Sequence, residues 1–452
     1  MDKVTPRILS GFMELLPERQ MQMERMMQVL REIFSLYGFA PLDTPAIELA
    51  EVLLAKGGGE TEKQIYAFTK GDSELALRFD LTVPLARFVA QNYAQLSFPF
   101  RRYQIGKVYR GERAQRGRFR EFYQADIDVI GDGTLDISSD AEIPAIIYRI
   151  FSTLGLRRFK IRVNNRKIPQ GFCDMLGIAD KAGVVMREID KIDKQGVEKT
   201  RAELLKVTAD EALTGELMRF ITISGGVDDK ISALERYAGR SELFDLGLSE
   251  LKAVTSCLPE FGVPAENFDI DLSVVRGLDY YTGTVYETVM LDNLEVGSIC
   301  SGGRYDNLAE YYTDRKLPGV GISIGLTRLF FVLEDQGYLN DNMLFSPADV
   351  IILPMTENLS VPTTAATALR EAGLRVLVYS GNKKVSVKLK YAGKLKIPYA
   401  LFIGEAEIAA GKVTLRNLDC GDQETLELAG AIEIISGAIA AKRAAPVIID
   451  KE

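Results

Sequence analysis

The stretch FRRYQIGKVYRGERAQRGRFREFYQADIDVIG, from Phe100 to Gly131, constrains this chain more than any other part of it. Strand side chains alternate between two faces. A strand over Phe119 to Val129 therefore places Arg118, Arg120, Phe122, Gln124, Asp126 and Asp128 on one side, and Phe119, Tyr123, Ala125, Ile127 and Val129 on the other. Arg110 and Glu112 share a face of the preceding segment in the same way, and the short join between the two predicts an antiparallel hairpin. One sheet surface would then carry guanidinium groups, an aromatic ring, an amide and carboxylates. Guanidinium forks grip phosphate, an aromatic face stacks on a purine, and carboxylates accept from an ammonium group, so the surface suits a nucleotide and an amino acid together. The alternation alone fits equally a solvated strand face whose charges neutralise one another.

The other segments supply a frame for that hairpin. Pro17 to Tyr37 repeats apolar residues at three- and four-residue spacing and stops at Gly38, as an amphipathic helix does; Glu142 to Leu154 does the same before Gly155. Lys167 to about Glu260 reads as a mostly helical insertion, and strand-like runs resume at Phe268. A polar stretch from Asn340 to Pro347 reads as a linker. Beyond it, the runs Val350 to Leu353, Leu374 to Tyr379, Tyr399 to Ile403 and Val413 to Leu418, with helical patterns at Thr363 to Glu371 and Val385 to Leu395, predict a small βαβ domain. A chain of 452 residues exceeds what one hydrophobic core supports, so two or three domains are expected.

Composition excludes several chemistries. With no histidine in the sequence, Ser-His-Asp and Cys-His catalysis and His-bearing metal sites cannot be built, so carboxylates, guanidinium groups and bound cations must serve. Four cysteines lie far apart without a C-x-x-C pair, against both a disulfide framework and a zinc site. No apolar run is long enough to cross a bilayer and Met1 to Phe12 has no signal-peptide core, so the expectation is a soluble, cytoplasmic protein without membrane partners. The net charge of −8 hides two basic regions. Arg101 to Arg120 holds eight basic residues against Glu112 alone, a local +7, and Lys383 to Lys396 holds six lysines and no acid. Both could meet phosphate backbones with salt-sensitive affinity, although a solvated lysine-rich helix fits the second equally well.

The R-G-E-R piece at Arg110, the G-R-F-R-E-F-Y-Q piece at Gly117 and the D-I-D-V-I-G piece at Asp126 resemble motif 2 of class II aminoacyl-tRNA synthetases, and the histidyl family in particular. Gly38-Phe39 through Pro45 and Glu48 resembles motif 1, with which the family builds its dimer. Leu77 to Thr82 resembles the loop whose acid and threonine bind the substrate α-amino group. Arg276 to Gly283, RGLDYYTG, and Gly302 to Asp306, GGRYD, are similar to two signatures of histidyl enzymes, the second an architectural support beneath the pocket. Gly319 to Arg328 resembles motif 3, and Lys388 to Leu418 the anticodon-binding domain. The sequence departs from many relatives in having Thr327 where they have glutamate, and Phe79-Asp80-Leu81 where they have Pro-Glu-Gly.

The resemblance implies an α/β fold of α+β type. It comprises a class II antiparallel-sheet catalytic core over 1–340, with the helical insertion at 167–260, and an α/β anticodon-binding domain over 347–452. It implies activation of L-histidine with ATP and Mg²⁺ and transfer to tRNA(His) by a homodimer. Arg110, Arg276 and Arg328 would act on the reacting phosphate. Asp80, Leu81, Thr82, Gln124, Asp128, Tyr280 and Tyr281 would bind histidine; Arg110, Glu112, Arg118, Phe122 and Arg328 would bind ATP; no residue is expected to hold a resident metal. Two other classes fit parts of the pattern: a synthetase-like regulatory subunit of ATP phosphoribosyltransferase, and a tRNA-binding module without catalysis. The first commonly lacks the tail domain, and the second has little reason to keep arginines at three separated places.

Overall fold

In the computed structural model, which describes residues 3–55, 62–113, 117–275, 281–340, 346–379, 381 and 383–449, the alternating stretch forms the predicted hairpin. In chain order the first unit holds β1 (Ala40–Pro41), β2 (Ile47–Leu49), β3 (Ala67–Lys70), β4 (Ser73–Leu77), β5 (Phe100–Tyr109), β6 (Glu121–Ile130), β7 (Phe159–Asn165), β8 (Phe268–Ile270), β9 (Thr284–Met290), β10 (Ser298–Tyr305) and β11 (Gly319–Gly325). Eight of these form one sheet in the order β1-β5-β6-β11-β10-β9-β7-β8, antiparallel except at its two outer pairs, while β2, β4 and β3 make a small antiparallel sheet of their own.

β6 lies inside the sheet between β5 and β11, so both of its edges are hydrogen-bonded. Its Ala125, Ile127 and Val129 are fully buried. The apolar face meets a helical layer. The helix Ser138–Leu154 turns Ile143, Ile146, Ile147, Ile150 and Phe151 inward at three- and four-residue spacing and ends at Gly155, whose positive φ lets its N–H close the last turn. The other face, rich in polar side chains, stays open as a cleft.

Among its described residues, the segment from Lys167 to Cys257 consists of helices joined by turns, with no strand. Its two ends belong to the layer over the sheet: the helix Glu242–Cys257 packs on the helices Lys167–Met175 and Ser138–Leu154 and on β7. Phe172 bridges to the helices between, stacking on Phe220 with ring centroids 4.0 Å apart.

The second unit comprises Leu15–Met26 and Leu339–Ile449. Its strands are β12 (Val350–Met355), β13 (Val376–Val378), β14 (Tyr399–Gly404), β15 (Val413–Asn417) and β16 (Gln423–Leu426), in the order β13-β12-β14-β15-β16. β12 pairs in parallel with β13 and β14, which require the crossover helices Ser360–Glu371 and Val385–Lys394, so the predicted βαβ unit is present. The sequence reading omitted β16 and the last helix, Leu428–Ala444, which closes the core with Ala431, Ile435 and Ile439. Residues 341–345 of the expected linker lie outside the described residues. No helix among the described residues is long and apolar enough to cross a membrane.

Candidate active site

A cleft of about 770 Å³ opens on the polar face of β6. Its floor follows from strand register. Asp128 stands opposite Arg102 of β5 and Gly321 of β11; Asp126 opposite Gln104 and Ser323; Gln124 opposite Gly106 and Gly325. Cross-strand partners share a face, so one row of acids and one row of small or hydroxyl-bearing residues line the same floor.

Asp128 is held on both sides. Arg102, fully buried, comes within 2.7 Å of its Oδ2, and the Tyr305 hydroxyl donates to its Oδ1 at 2.6 Å. Burial pushes the Asp128 carboxyl up to about 6, while Arg102 and Tyr305 pull it down. Tyr305 belongs to the GGRYD piece, and its neighbours there are structural, as expected. Arg304 donates to Asp140 and to the carbonyls of Leu135 and Asp136, and Asp306 accepts from Thr282 at 2.6 Å.

The glycines of this floor make room. A Cβ on Gly321 would lie 2.3 Å from Asp128 Oδ1 and from the Ile127 carbonyl, and one on Gly302 would lie 2.1 Å from the Gly321 carbonyl. Gly321→Ala is therefore expected to lower stability by about 3 kcal/mol through overpacking, read as the shift in urea unfolding midpoint at constant slope. An unshifted midpoint would contradict this packing.

At one wall, Asp80 Oδ1 accepts from the N–H groups of Thr82 and Val83 at 3.1 and 2.9 Å, at the start of the helix Thr82–Asn92. Burial pushes the Asp80 carboxyl up against the pull of Val83 N–H and Arg110. Thr82 lines the cleft beside it. Leu81 does not: its side chain is fully buried, and only its carbonyl is used, accepting from Arg102 at 3.2 Å. The expected histidine contact at Leu81 is thus corrected, since a leucine between two cleft residues at a helix start points into the core.

The opposite end is cationic. Arg110 lies just beyond β5, its guanidinium 4.4 Å over the Phe79 ring and 5.1 Å from the Phe122 ring, with Nε donating to the Phe79 carbonyl. Glu112 and Arg118 line the cleft and pair at 3.5 Å. Arg328, in the first turn of the helix Leu326–Asp335, lines it too and donates to the Val296 carbonyl. Tyr281 stands at the floor's edge. Arg276 and Tyr280 lie outside the described residues.

Three further readings need correction. β5 stops at Tyr109 and β6 starts at Glu121, so alternation fails beyond them. Arg120 turns away to the carbonyls of Glu112 and Ser10 while Phe119 enters the cleft. The basic run is not one surface, because Arg102 is buried under the floor, Arg110 and Arg118 line the cleft, and Arg101 pairs with Glu142. In the lysine-rich segment Lys388 is buried, donating to the Pro354 carbonyl at 2.7 Å. Missed altogether were Arg166, between β7 and the helix Lys167–Met175, and Arg187 and Lys191 of the helical segment, which all line the cleft. Thr327, the departure from many relatives, accepts the Tyr123 N–H at 2.8 Å and so ties this helix to β6.

An antiparallel sheet of this order with an acid floor and an arginine wall, followed by a small α/β domain, is the architecture of a class II aminoacyl-tRNA synthetase. A family model described as histidyl-tRNA synthetase matches residues 11–329, and one described as anticodon binding domain matches 349–437. The histidine–tRNA ligase of Clostridium tetani is 49% identical over 437 residues, covering 97% of this chain and 99% of that one. The crystal structure of histidyl-tRNA synthetase from Nostoc sp. PCC 7120 superposes with a TM-score of 0.90 at 39% identity, covering 96% and 100%. A Bacillus halodurans protein described as an ATP phosphoribosyltransferase regulatory subunit/histidyl-tRNA synthetase, at 22% identity and TM-score 0.72 over 89% and 99%, shares the fold. The chain belongs to the histidyl-tRNA synthetase family.

Proposed function

We propose that this chain is a histidine–tRNA ligase, which converts L-histidine and ATP to histidyl-adenylate and pyrophosphate, then transfers the histidyl group to the 3′ end of tRNA(His) with release of AMP. The observation that carries the reading is the joining of Asp80, Gln124 and Asp128 with Arg110 and Arg328 in one cleft of a family member. Asp80, Thr82 and Gln124 receive the α-ammonium group, and Asp128 with Tyr281 and Tyr280 receives the imidazole. Glu112, Arg118 and Phe122 hold the nucleotide, with Phe122 stacked on adenine.

The substrate carboxylate is already ionised at neutral pH, so its attack on the α-phosphorus requires alignment and charge neutralisation more than proton removal. Arg110, Arg276 and Arg328 supply that neutralisation as the bond to pyrophosphate breaks. Mg²⁺ bound with ATP as substrate would supply further neutralisation of phosphate charge beside Arg110 and Arg328. Selectivity comes from the buried Asp128, because a side chain without a ring N–H leaves part of its acceptor capacity unfilled beside Arg102 and Tyr305. Residues 1–340 serve as the catalytic core and 347–452 as the anticodon reader, in a cytoplasmic homodimer. The match of an anticodon-binding model over 349–437 favours this over the regulatory-subunit reading.

ATP–pyrophosphate exchange run with each amino acid tests the first step, and charging of tRNA(His) the second. Exchange is expected with histidine alone. Stimulation of a phosphoribosyltransferase without exchange would overturn the assignment.

A further inference from the structure

Among the buried acids that line the cleft, Asp126 is the one that the proposed reaction leaves unused. It is 1% exposed and lines the cleft, yet its Oδ1 has no hydrogen-bond partner among the described residues. The groups facing it are Asp128 on its own strand, Arg102 on β5, Ser323 on β11, Cys300 on β10, and Asp80 ahead of the helix Thr82–Asn92. Ser323 is its hydrogen-bond partner, and Arg102 reaches Asp128 and the Leu81 carbonyl through Nη2. Fully ionised, the buried Asp80, Asp126 and Asp128 would face Arg102 and, at Asp80, Arg110, leaving one negative charge in excess. Such a floor holds a proton: burial pushes the Asp126 carboxyl up to about 7, Arg102 and Ser323 pulling against it and Asp128 and Asp80 adding to the rise. That proton is present below pH 7 and is lost as pH rises through it.

Same-face neighbours on a strand stand roughly 6.7 Å apart. A five-membered ring lying over β6 can therefore direct one N–H to Asp128 and the other to Asp126. We propose that Asp126 is a second ring-binding carboxylate which shares one proton with the substrate imidazole, so that histidine is held as imidazolium over two carboxylates or as imidazole over a protonated Asp126. In either form the complex holds one proton more than the fully ionised floor with neutral imidazole, and binding above pH 7 takes that proton from solvent. The inference rests on the reading of this cleft as the histidine site.

Calorimetric titration of the full chain with L-histidine, in buffers of different ionisation enthalpy, tests it. At pH 7.5 the wild-type protein is expected to take up more than half a proton per histidine, and its Kd to rise close to tenfold between pH 7.5 and 8.5. Asp126→Asn should bind with little linked uptake and a nearly flat Kd; the α-amino group of histidine titrates alike with both proteins and cancels in the difference. Equal uptake and equal slopes in the two proteins would overturn the proposal. Should the variant fail to fold, the wild-type titration decides: binding at pH 7.5 without proton uptake overturns it. Histidine-dependent exchange with no linked proton would sink this inference alone, whereas no histidine binding at all would sink the function.

Discussion

Arg110→Ala is expected to lower kcat for histidine-dependent ATP–pyrophosphate exchange by about 10²–10³, the loss seen when one preorganised donor to a developing charge is removed. Arg110 is set for that role. Lying between the Phe79 and Phe122 rings and anchored through Nε to the Phe79 carbonyl, its guanidinium is fixed before substrate arrives. A group so held loses little freedom when the pentavalent phosphorus forms. The effect should fall on kcat more than on the histidine KM, because in the proposed reading Asp80 and Asp128, not Arg110, meet the amino acid's ammonium group and ring. Arg110→Lys keeps the charge but not the planar fork, so it should recover only part of the rate. Stability should change little, since the side chain is part-exposed, although the buried Asp80 carboxyl loses the pull that Arg110 exerts on it. A kcat within about threefold of wild type would remove Arg110 from the reacting centre.

How much of this was legible beforehand depended on whether a signal was local. The hairpin Phe100–Ile130 could be read because its period of two runs unbroken over both strands, and Asp128, Gln124 and Phe122 came with it. The limits of that reading are the strand ends. Past Tyr109 and before Glu121 the backbone leaves the ladder, and there Arg120 and Phe119 exchanged the sides that alternation gave them. Long-range pairing was invisible in principle. Nothing near Arg102 tells that it lies wholly under Asp128, or that Tyr305, far along the chain, closes the other side. Counting it among eight cations of a basic run was the natural error, since composition cannot distinguish a buried arginine from a surface one. Leu81 failed for the opposite reason: it stood between two cleft residues, and its place just ahead of the helix Thr82–Asn92 sent it inward. Resemblance supplied the roles of separated motifs, while only the fold showed that Asp126 shares their floor without a partner.

Asp128→Ala should raise the histidine KM for exchange by about 10²-fold, as expected when a site built to pair a ring N–H loses its acceptor. The same substitution should cost about 3 kcal/mol of stability, because it strands a buried partner. Arg102 loses the carboxylate 2.7 Å from it, and the Tyr305 hydroxyl loses its acceptor. Asp126 limits the damage. With Asp128 gone the like charge that pushes its carboxyl up is removed while Arg102 still pulls it down, so its proton should leave at a pH below 7. The two losses can be separated. Arg102→Leu in the Asp128→Ala background removes the stranded cation, so most of the stability should return while histidine affinity does not. Urea unfolding of the four proteins of this double-mutant cycle gives the coupling between Arg102 and Asp128, and exchange kinetics give the recognition term. If the double variant recovered the histidine KM as well, Asp128 would be a structural partner of Arg102 and nothing more, and the ring would have to be recognised elsewhere in the cleft.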